Sequence, residues 1–172
     1  MKLITLTLLL TITTLTMNSQ SIFEAIRNGD LATLTALHSN DQNLINSQDS
    51  KGFTPLILSV YNNQTELIDF LLEKECDVNA KDMAGNNALM GVCFKGNFDS
   101  AKKLIENGTD INAQNFNGAT TLIYAATFGH AEIVSLLLEH NADDTLRDNR
   151  NNTALEHAEM QGNNAVIELL KK

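Results

Sequence analysis

The sequence has few basic residues, and they do not cluster. Of its 172 residues, 12 are lysine or arginine and 21 are aspartate or glutamate, which gives a formal net charge of −9. No run of positive charge is longer than two residues, and such pairs occur at Lys102-Lys103 and Lys171-Lys172. Nucleic acids and anionic membranes are bound through positive charge that neutralises phosphates, so the composition argues against both classes of partner.

Catalytic motifs are also missing. The sequence contains no Gly-x-Ser-x-Gly, no glycine-rich phosphate loop and no His-Glu-x-x-His. His157 and Glu159 could be metal ligands by residue type, but residues two apart on a helix point to different faces. We therefore predict a protein that is not an enzyme and has no catalytic residues, no metal site and no cofactor.

The sequence does contain a repeat of 33 residues. Gly52, Gly85 and Gly118 stand 33 apart, and Asn151 takes the next position. The same spacing holds for two further columns: Leu56, Leu89, Leu122 and Leu155, and Asp49, Asp82, Asn115 and Asp148. A fixed period of this size indicates stacked supersecondary units rather than one globular core. The low aromatic share of 5% is expected where small helices stack.

Each copy of the repeat predicts a polar turn followed by two helices. The turn closes with glycine or asparagine, which tolerate a positive φ. Thr54 and Pro55 suit the start of the first helix. That helix should end near Asn63, Gly96, Gly129 and Gly162. The second helix carries apolar residues at helical spacing, such as Ile133, Val134, Leu137 and Leu138.

These features resemble the ankyrin repeat, whose signature is Thr-Pro-Leu-His near the start, Gly-His between the helices and Gly-Ala-Asp-Val-Asn-Ala at the end. The most similar segment runs from Gly118 to Asp148 and includes Gly129-His130. The resemblance implies an all-α solenoid of about five helix-turn-helix repeats with β-turn tips. The copies are predicted at about residues 20–48, 49–81, 82–114, 115–147 and 148–172.

The histidine of Thr-Pro-Leu-His is missing from these copies. Its position is occupied by Ile57, Met90, Ile123 and Glu156. In the family this histidine bonds across repeats, so we expect apolar packing to hold the copies together instead. The last copy should present a polar face to water, and the residues that suit this are Glu156, Glu159, Glu168, Lys171 and Lys172.

The first residues differ sharply from the rest. Lys2 precedes an uncharged stretch over residues 3–17, which is the layout of a secretory signal peptide and is short for a membrane span. A buried apolar strand is the alternative, but a helical stack offers no sheet for it to join. We predict a signal peptide over residues 1–19, cleaved after Ser19 or alternatively after Thr16, and a mature domain over 20–172.

A signal peptide predicts an exported protein, periplasmic or secreted, without a membrane anchor after cleavage. The short length and the many asparagines suit a bacterial protein. An oxidising compartment raises the question of a disulfide between Cys76 and Cys93. Both occupy positions where a later copy has alanine, at Ala142 and Ala126, so small core residues are the alternative.

The resemblance also implies where a partner binds, because ankyrin-like stacks use the turn tips and the exposed side of the first helix, which line a concave face. Carried over position by position, this predicts a partner-binding set consisting of Lys51, Phe53, Tyr61, Lys81, Met83, Phe94, Lys95, Phe116, Phe128, Arg147, Arg150 and Met160. Aromatic, methionine and basic side chains are typical of recognition surfaces. The alternative for any single ring is that it packs onto a neighbouring repeat.

The function implied is that of a non-catalytic interaction module. We expect a monomeric, exported adaptor or inhibitor that binds a protein partner with an acidic or amphipathic surface through the concave face. The alternative is a chaperone-like or structural stress-protection protein whose aromatic face binds many clients weakly.

Overall fold

A computed structural model describes residues 21–171 of the chain. The predicted signal peptide over residues 1–19 lies outside the described residues. The chain divides between Cys76 and Asp77 into two compact units, which we call unit 1 and unit 2.

Unit 1 consists of helices joined by short turns. Its elements are α1 (residues 21–28), α2 (Leu31–Asn40), a 3-10 helix (Gln42–Asn46), α3 (Pro55–Tyr61) and α4 (Thr65–Glu73). The side chains of Phe23, Ile26 and Leu34 are buried. Asp30 begins α2 because its carboxylate accepts a hydrogen bond from the Thr33 N–H at 2.9 Å.

Unit 2 contains three helix pairs. They are α5 (Ala88–Lys95) with α6 (Phe98–Glu106), α7 (Thr121–Phe128) with α8 (Ala131–Glu139), and α9 (Ala154–Gln161) with α10 (Asn164–Leu170). The first helices pack in the order α5, α7, α9, and the second helices in the order α6, α8, α10. No strand occurs among residues 21–171, so the predicted all-α class is confirmed. No helix in that range is long and apolar enough to cross a membrane.

The first helix of each complete copy begins at a capping side chain. The capping residues are Thr54, Asn87, Thr120 and Thr153, each of which accepts a hydrogen bond from the backbone N–H three residues later. In the last copy Glu156 also reaches back, and its carboxylate accepts from the Thr153 N–H at 2.6 Å. The position that lacks the family histidine therefore supplies half of a capping box.

Four turn tips, which we number in chain order, are each closed by paired hydrogen bonds, and they span residues 49–53, 82–86, 115–119 and 148–152. In the third tip the Gly118 N–H donates to the Asn115 carbonyl at 2.9 Å, and the Asn115 N–H donates to the Ala119 carbonyl at 3.1 Å. The Asn115 side-chain oxygen also accepts from the N–H groups of Asn117 and Ala119. Gly118 has a φ of 73°, and Asn151 meets the same requirement in the last tip with a φ of 66°.

Hydrogen bonds also join neighbouring copies, which corrects the expectation that apolar packing alone holds the copies together. In unit 2 the Asn79 amide donates to the Gly108 carbonyl at 3.3 Å and accepts from the Asp110 N–H at 2.8 Å. Asn112 makes the same pair of bonds with Asn141 and Asp143 of the next copy. A single amide can bridge two backbone groups because it both donates and accepts.

Both cysteines are buried. Cys76 is 6% exposed and Cys93 is fully buried. The Cys93 thiol lies 3.6 Å from the Thr121 carbonyl oxygen, and burial raises the pKa of that thiol far above its ordinary value. The burial of both positions agrees with the alternative that they are small core residues.

Candidate functional site

Nine of the twelve predicted partner-binding residues lie in unit 2, on the turn tips, just before them or on the last turns of α5, α7 and α9. Among the described residues, the large hydrophobic side chains that are exposed are Met83, Phe94, Phe116, Phe128 and Met160, with exposed fractions from 44% to 71%. All five belong to the predicted set. The strongest apolar exposure of the described chain therefore lies on this tip and first-helix surface.

Three rings on α5 and α7 form one aromatic cluster, which we define as Phe94, Tyr124 and Phe128. Phe94 meets Phe128 edge to face at 5.6 Å, and Phe128 stacks on Tyr124 at 6.3 Å, measured between ring centroids. Both are favoured arrangements of aromatic pairs. The sequence-based set omits Tyr124. Its spacing of four residues from Phe128, which places both on one helix face, is the signal that could have found it.

The aromatic cluster is fixed to the turn tips through the Tyr124 hydroxyl. This hydroxyl accepts a hydrogen bond from the Asn115 amide at 3.0 Å and donates to the Asn86 side-chain oxygen at 3.4 Å. The Asn115 amide also donates to Asn86 at 2.8 Å. The polar end of Tyr124 is thereby satisfied, and its ring is left to stack on Phe128.

The second and third tips are locked together although their side chains are exposed. The Phe116 N–H donates to the Ala84 carbonyl at 3.1 Å. The Phe116 ring lies so close to Gly85 that a Cβ at Gly85 would come within 2.9 Å of it. On the other side, the Asn149 amide donates to the Phe116 carbonyl at 3.0 Å. A surface held in this way loses little conformational freedom when it binds.

The predicted cations of unit 2 fall into two groups. Lys81 donates to the Gln114 carbonyl at 3.0 Å, and Arg147 donates to the Asn151 carbonyl at 2.7 Å and forms an ion pair with Glu156 at 3.1 Å. These two side chains therefore also brace the chain itself. Lys95 instead lies with its ammonium 5.8 Å from the Phe94 ring centroid, beside the aromatic cluster. The exposed Arg150 has no hydrogen bond or ion pair from its guanidinium to any residue in 21–171.

A groove of about 370 Å³ opens between the third and fourth tips, and we call it the tip groove. Its lining consists of Asn117, Ala119, Ile123, Tyr124, Thr127, Phe128, Asp148, Asn149, Arg150 and His157. Ala119 and Ile123 are buried, while Phe128 and Arg150 are exposed. The tip groove thus joins the aromatic cluster to a cationic tip. Its volume falls at the lower end of the range of ligand pockets.

Asp148 and His157 form a side-chain hydrogen bond at the base of the fourth tip. The His157 Nε2 lies 2.8 Å from Asp148 Oδ2, and both side chains are largely buried. Burial acts to raise the pKa of Asp148, but hydrogen bonds from the Asn152 N–H, His157 and the Arg150 N–H hold it below its ordinary value. Within residues 21–171, no group of three His, Cys, Asp or Glu side chains could hold a metal ion.

The other three predicted residues lie in unit 1. Lys51 is exposed on its turn tip. Phe53 and Tyr61 are both half-buried, and their ring centroids are 5.5 Å apart. In this unit the two rings pack on each other, so their contribution to an exposed apolar surface is smaller than that of the five side chains in unit 2.

Comparison with known proteins places these features in a family. The family description "Ankyrin repeats (3 copies)" matches residues 22–115 and 89–172. Human NAD-capped RNA hydrolase NUDT12 is 36% identical over 61 residues, which is 36% of this chain and 13% of that protein. Human M-phase phosphoprotein 8 is 33% identical over 73 residues, or 42% of this chain and 8% of that protein.

Rat ankyrin repeat and SAM domain-containing protein 6 is 34% identical over 70 residues, or 40% of this chain and 8% of that protein. The chain therefore spans only about a tenth of the length of these relatives. The family match itself extends from residue 22 to residue 172, nearly the whole chain. This chain belongs to the ankyrin-repeat family.

Proposed function

We propose that this chain is a non-catalytic module that binds a protein partner through the turn tips and first helices of unit 2, and that it acts as an exported adaptor or inhibitor. Ankyrin repeats generally mediate protein–protein interactions. The observation that carries the proposal is the location of the exposed apolar side chains. All five large hydrophobic residues that are exposed in the described chain lie on this one surface.

The chemistry of the surface supports a protein partner of complementary charge. Lys95 lies beside Phe94, and Arg150 lies at the edge of the tip groove, on a chain whose net charge is −9. Exposed rings flanked by cations match a partner surface that is apolar at its centre and acidic at its rim. Binding would be weakened by salt because the charged contacts are exposed.

The partner experiment is a pull-down with the tagged protein from the exported fraction of the native cell. The Phe94→Ala/Phe128→Ala variant should lose one dominant partner that the wild type captures. The matched control is Lys102→Ala/Glu106→Ala, which removes an exposed pair of side chains from α6 and should keep that partner. Retention of the partner by the phenylalanine variant would place the binding site elsewhere.

Export is proposed on the pattern of the first residues. Lys2 followed by an uncharged apolar stretch supports a signal peptide and a periplasmic or secreted destination. Cell fractionation followed by N-terminal sequencing tests this directly. We expect the exported protein to begin at Gln20, whereas a cytosolic protein that still begins at Met1 would contradict the proposal.

A chaperone-like role is the second candidate, and the exposed methionines favour it. Met83 and Met160 are 71% and 59% exposed. Flexible thioether side chains adapt to many partners and are common on promiscuous surfaces. In this case the pull-down would give many weak partners, and the protein would suppress aggregation of unrelated unfolded proteins. Capture of a single partner, with no effect on aggregation, would exclude this role.

A further inference from the structure

The lining of the tip groove combines aromatic rings with charged side chains. Tyr124 and Phe128 form an aromatic wall above the buried Ile123. The fourth tip supplies Asp148 and Arg150 to the lining, and α9 supplies His157. A guest in the groove would therefore meet rings on one side and charge on the other.

The fold engages the charged groups of the tip groove unequally. Asp148 Oδ1 accepts from the N–H groups of Arg150 and Asn152, and Oδ2 pairs with His157. The carboxylate is thus engaged by the fold. The guanidinium of Arg150 makes no bond to any other residue in the described range, and it is exposed at the edge of the groove. The groove therefore offers this guanidinium to a carboxylate on the guest.

We propose that the tip groove is the subsite for a partner segment in which an aromatic or large aliphatic side chain stands next to an acidic one. The apolar side chain packs on Tyr124 and Phe128, and the carboxylate accepts hydrogen bonds from the Arg150 guanidinium. This subsite rests on the proposed function and specifies its partner. One planar guanidinium matches one carboxylate through two parallel hydrogen bonds. A dianionic phosphate is usually bound by a cluster of arginines.

The continuity of the aromatic cluster favours a carboxylate from within the partner chain over its C-terminus. Phe128 lines the groove, and its ring contacts Phe94 of the neighbouring copy at 5.6 Å. Lys95 lies beyond it, beside Phe94. A partner that covers this surface runs on past the groove, so its carboxylate at Arg150 belongs to an internal aspartate or glutamate.

Two blocked dipeptides test the subsite on the full chain. N-acetyl-Phe-Glu-amide and N-acetyl-Phe-Gln-amide are titrated into isotope-labelled protein, and NMR shifts are followed at the amides of Asn117, Asn149 and Arg150. We expect the glutamate peptide to bind about fivefold more tightly, the upper value for an exposed ion pair. Arg150→Gln should abolish the difference, and Arg150→Lys should keep part of it. The control Lys102→Gln, on α6, should leave the difference unchanged.

The outcomes separate this subsite from the proposed function. Equal affinities of the two peptides, or no shifts with either, would overturn the carboxylate subsite. The proposed function fails on a different result, which is capture of the native partner that does not depend on Phe94 and Phe128. A third probe, N-acetyl-Phe with a free carboxylate, tests the source of the charge. If it binds more tightly than the glutamate peptide, the internal carboxylate is excluded.

Discussion

Gly96 lies directly against the ring of His130, and no Cβ fits between them. A Cβ built on Gly96 would come within 2.6 Å of His130 Cε1. Gly96 ends α5 with a left-handed φ of 71°. Gly162 ends α9 with the same φ, but nothing lies within 4 Å of the Cβ position there. The two glycines therefore separate the energetic effect of backbone conformation from that of close contact.

We expect Gly162→Ala to lower the free energy of unfolding by about 1 kcal/mol, because alanine is strained in the left-handed region. Gly96→Ala should lower the free energy of unfolding by the same amount and by about a further 1–3 kcal/mol, because the new methyl group overpacks against the His130 imidazole. Urea unfolding measures both. Adding His130→Ala to Gly96→Ala should recover much of the second loss. Equal losses in the two single variants would contradict the contact.

The Phe94 and Phe128 rings should matter little for stability. They are 58% and 44% exposed, so we expect Phe94→Ala/Phe128→Ala to lower the free energy of unfolding by about 1–2 kcal/mol, which is the worth of the edge-to-face pair together with the stack of Phe128 on Tyr124. Leu122→Ala, at a side chain that is 1% exposed, should lose about 2–5 kcal/mol. Thermal melts and far-UV circular dichroism compare the variants. A double variant as unstable as Leu122→Ala would identify the rings as core.

Ionisation of Asp148 should make the free energy of unfolding decrease as the pH falls into the acid range. Its pKa in the folded chain is below the ordinary value, so its contribution is complete above about pH 4 and is lost as the pH falls through the lower folded pKa. The melting temperature of Asp148→Asn should lie below that of the wild type at neutral pH, and the two should converge in acid. Asn115 occupies the same position in the third tip, so asparagine suits this turn. A constant difference at every pH would contradict this prediction.

Both thiols should be unreactive until the chain unfolds. Cys76 is buried, and Cys93 is fully buried with a raised thiol pKa, so neither presents an accessible thiolate. We expect an alkylating reagent to leave the folded protein unchanged and to add two groups in denaturant, as measured by intact mass. A mass two hydrogens below that of the reduced chain, with no labelling in denaturant, would instead show a disulfide.

The bridging asparagines should contribute more than their exposure implies. Asn112 makes bonds to two backbone groups of the next copy. Thr145 stands 33 residues later, and its hydroxyl and N–H bond Asp143 of its own copy. We expect Asn112→Ala to lower the free energy of unfolding by about 1–2 kcal/mol and Thr145→Ala by less than about 1 kcal/mol, by urea unfolding. A larger effect at Thr145 would show that bonds between copies are not decisive.

The period in the sequence predicted the helical class and the capping residues because each depends on local chemistry. Thr54 and Thr120 cap helices wherever the turn before them has the right shape. The exposure of Phe94 and Phe128 could also be predicted, since position within the repeat determines which side of the first helix faces its neighbours.

Contacts between copies were less predictable because they depend on the direction of individual side chains. Position within the repeat assigns Lys81 and Arg147 to the binding surface, but both side chains also donate to backbone carbonyls of the chain. Tyr124 joins the aromatic cluster through a hydroxyl that bonds two asparagines from different tips. The position of a residue within the repeat shows which face its side chain lies on, but it does not show which group that side chain bonds.

The asparagine bridges recur at the same position in successive copies, so each of these copies carries its own hydrogen bonds to the next. Asn79 serves the copy that follows it, and Asn112 does the same one unit later. A tandem duplication of the intervening 33 residues would contain both the bridging asparagine and the backbone groups that bond the asparagine of the preceding copy. The hydrogen bonds between the new copy and its neighbours could therefore form without further change. Growth or loss of whole units during evolution would therefore need no compensating substitution at this position. A copy with the Thr145 arrangement, which bonds only itself, would not extend the series in this way.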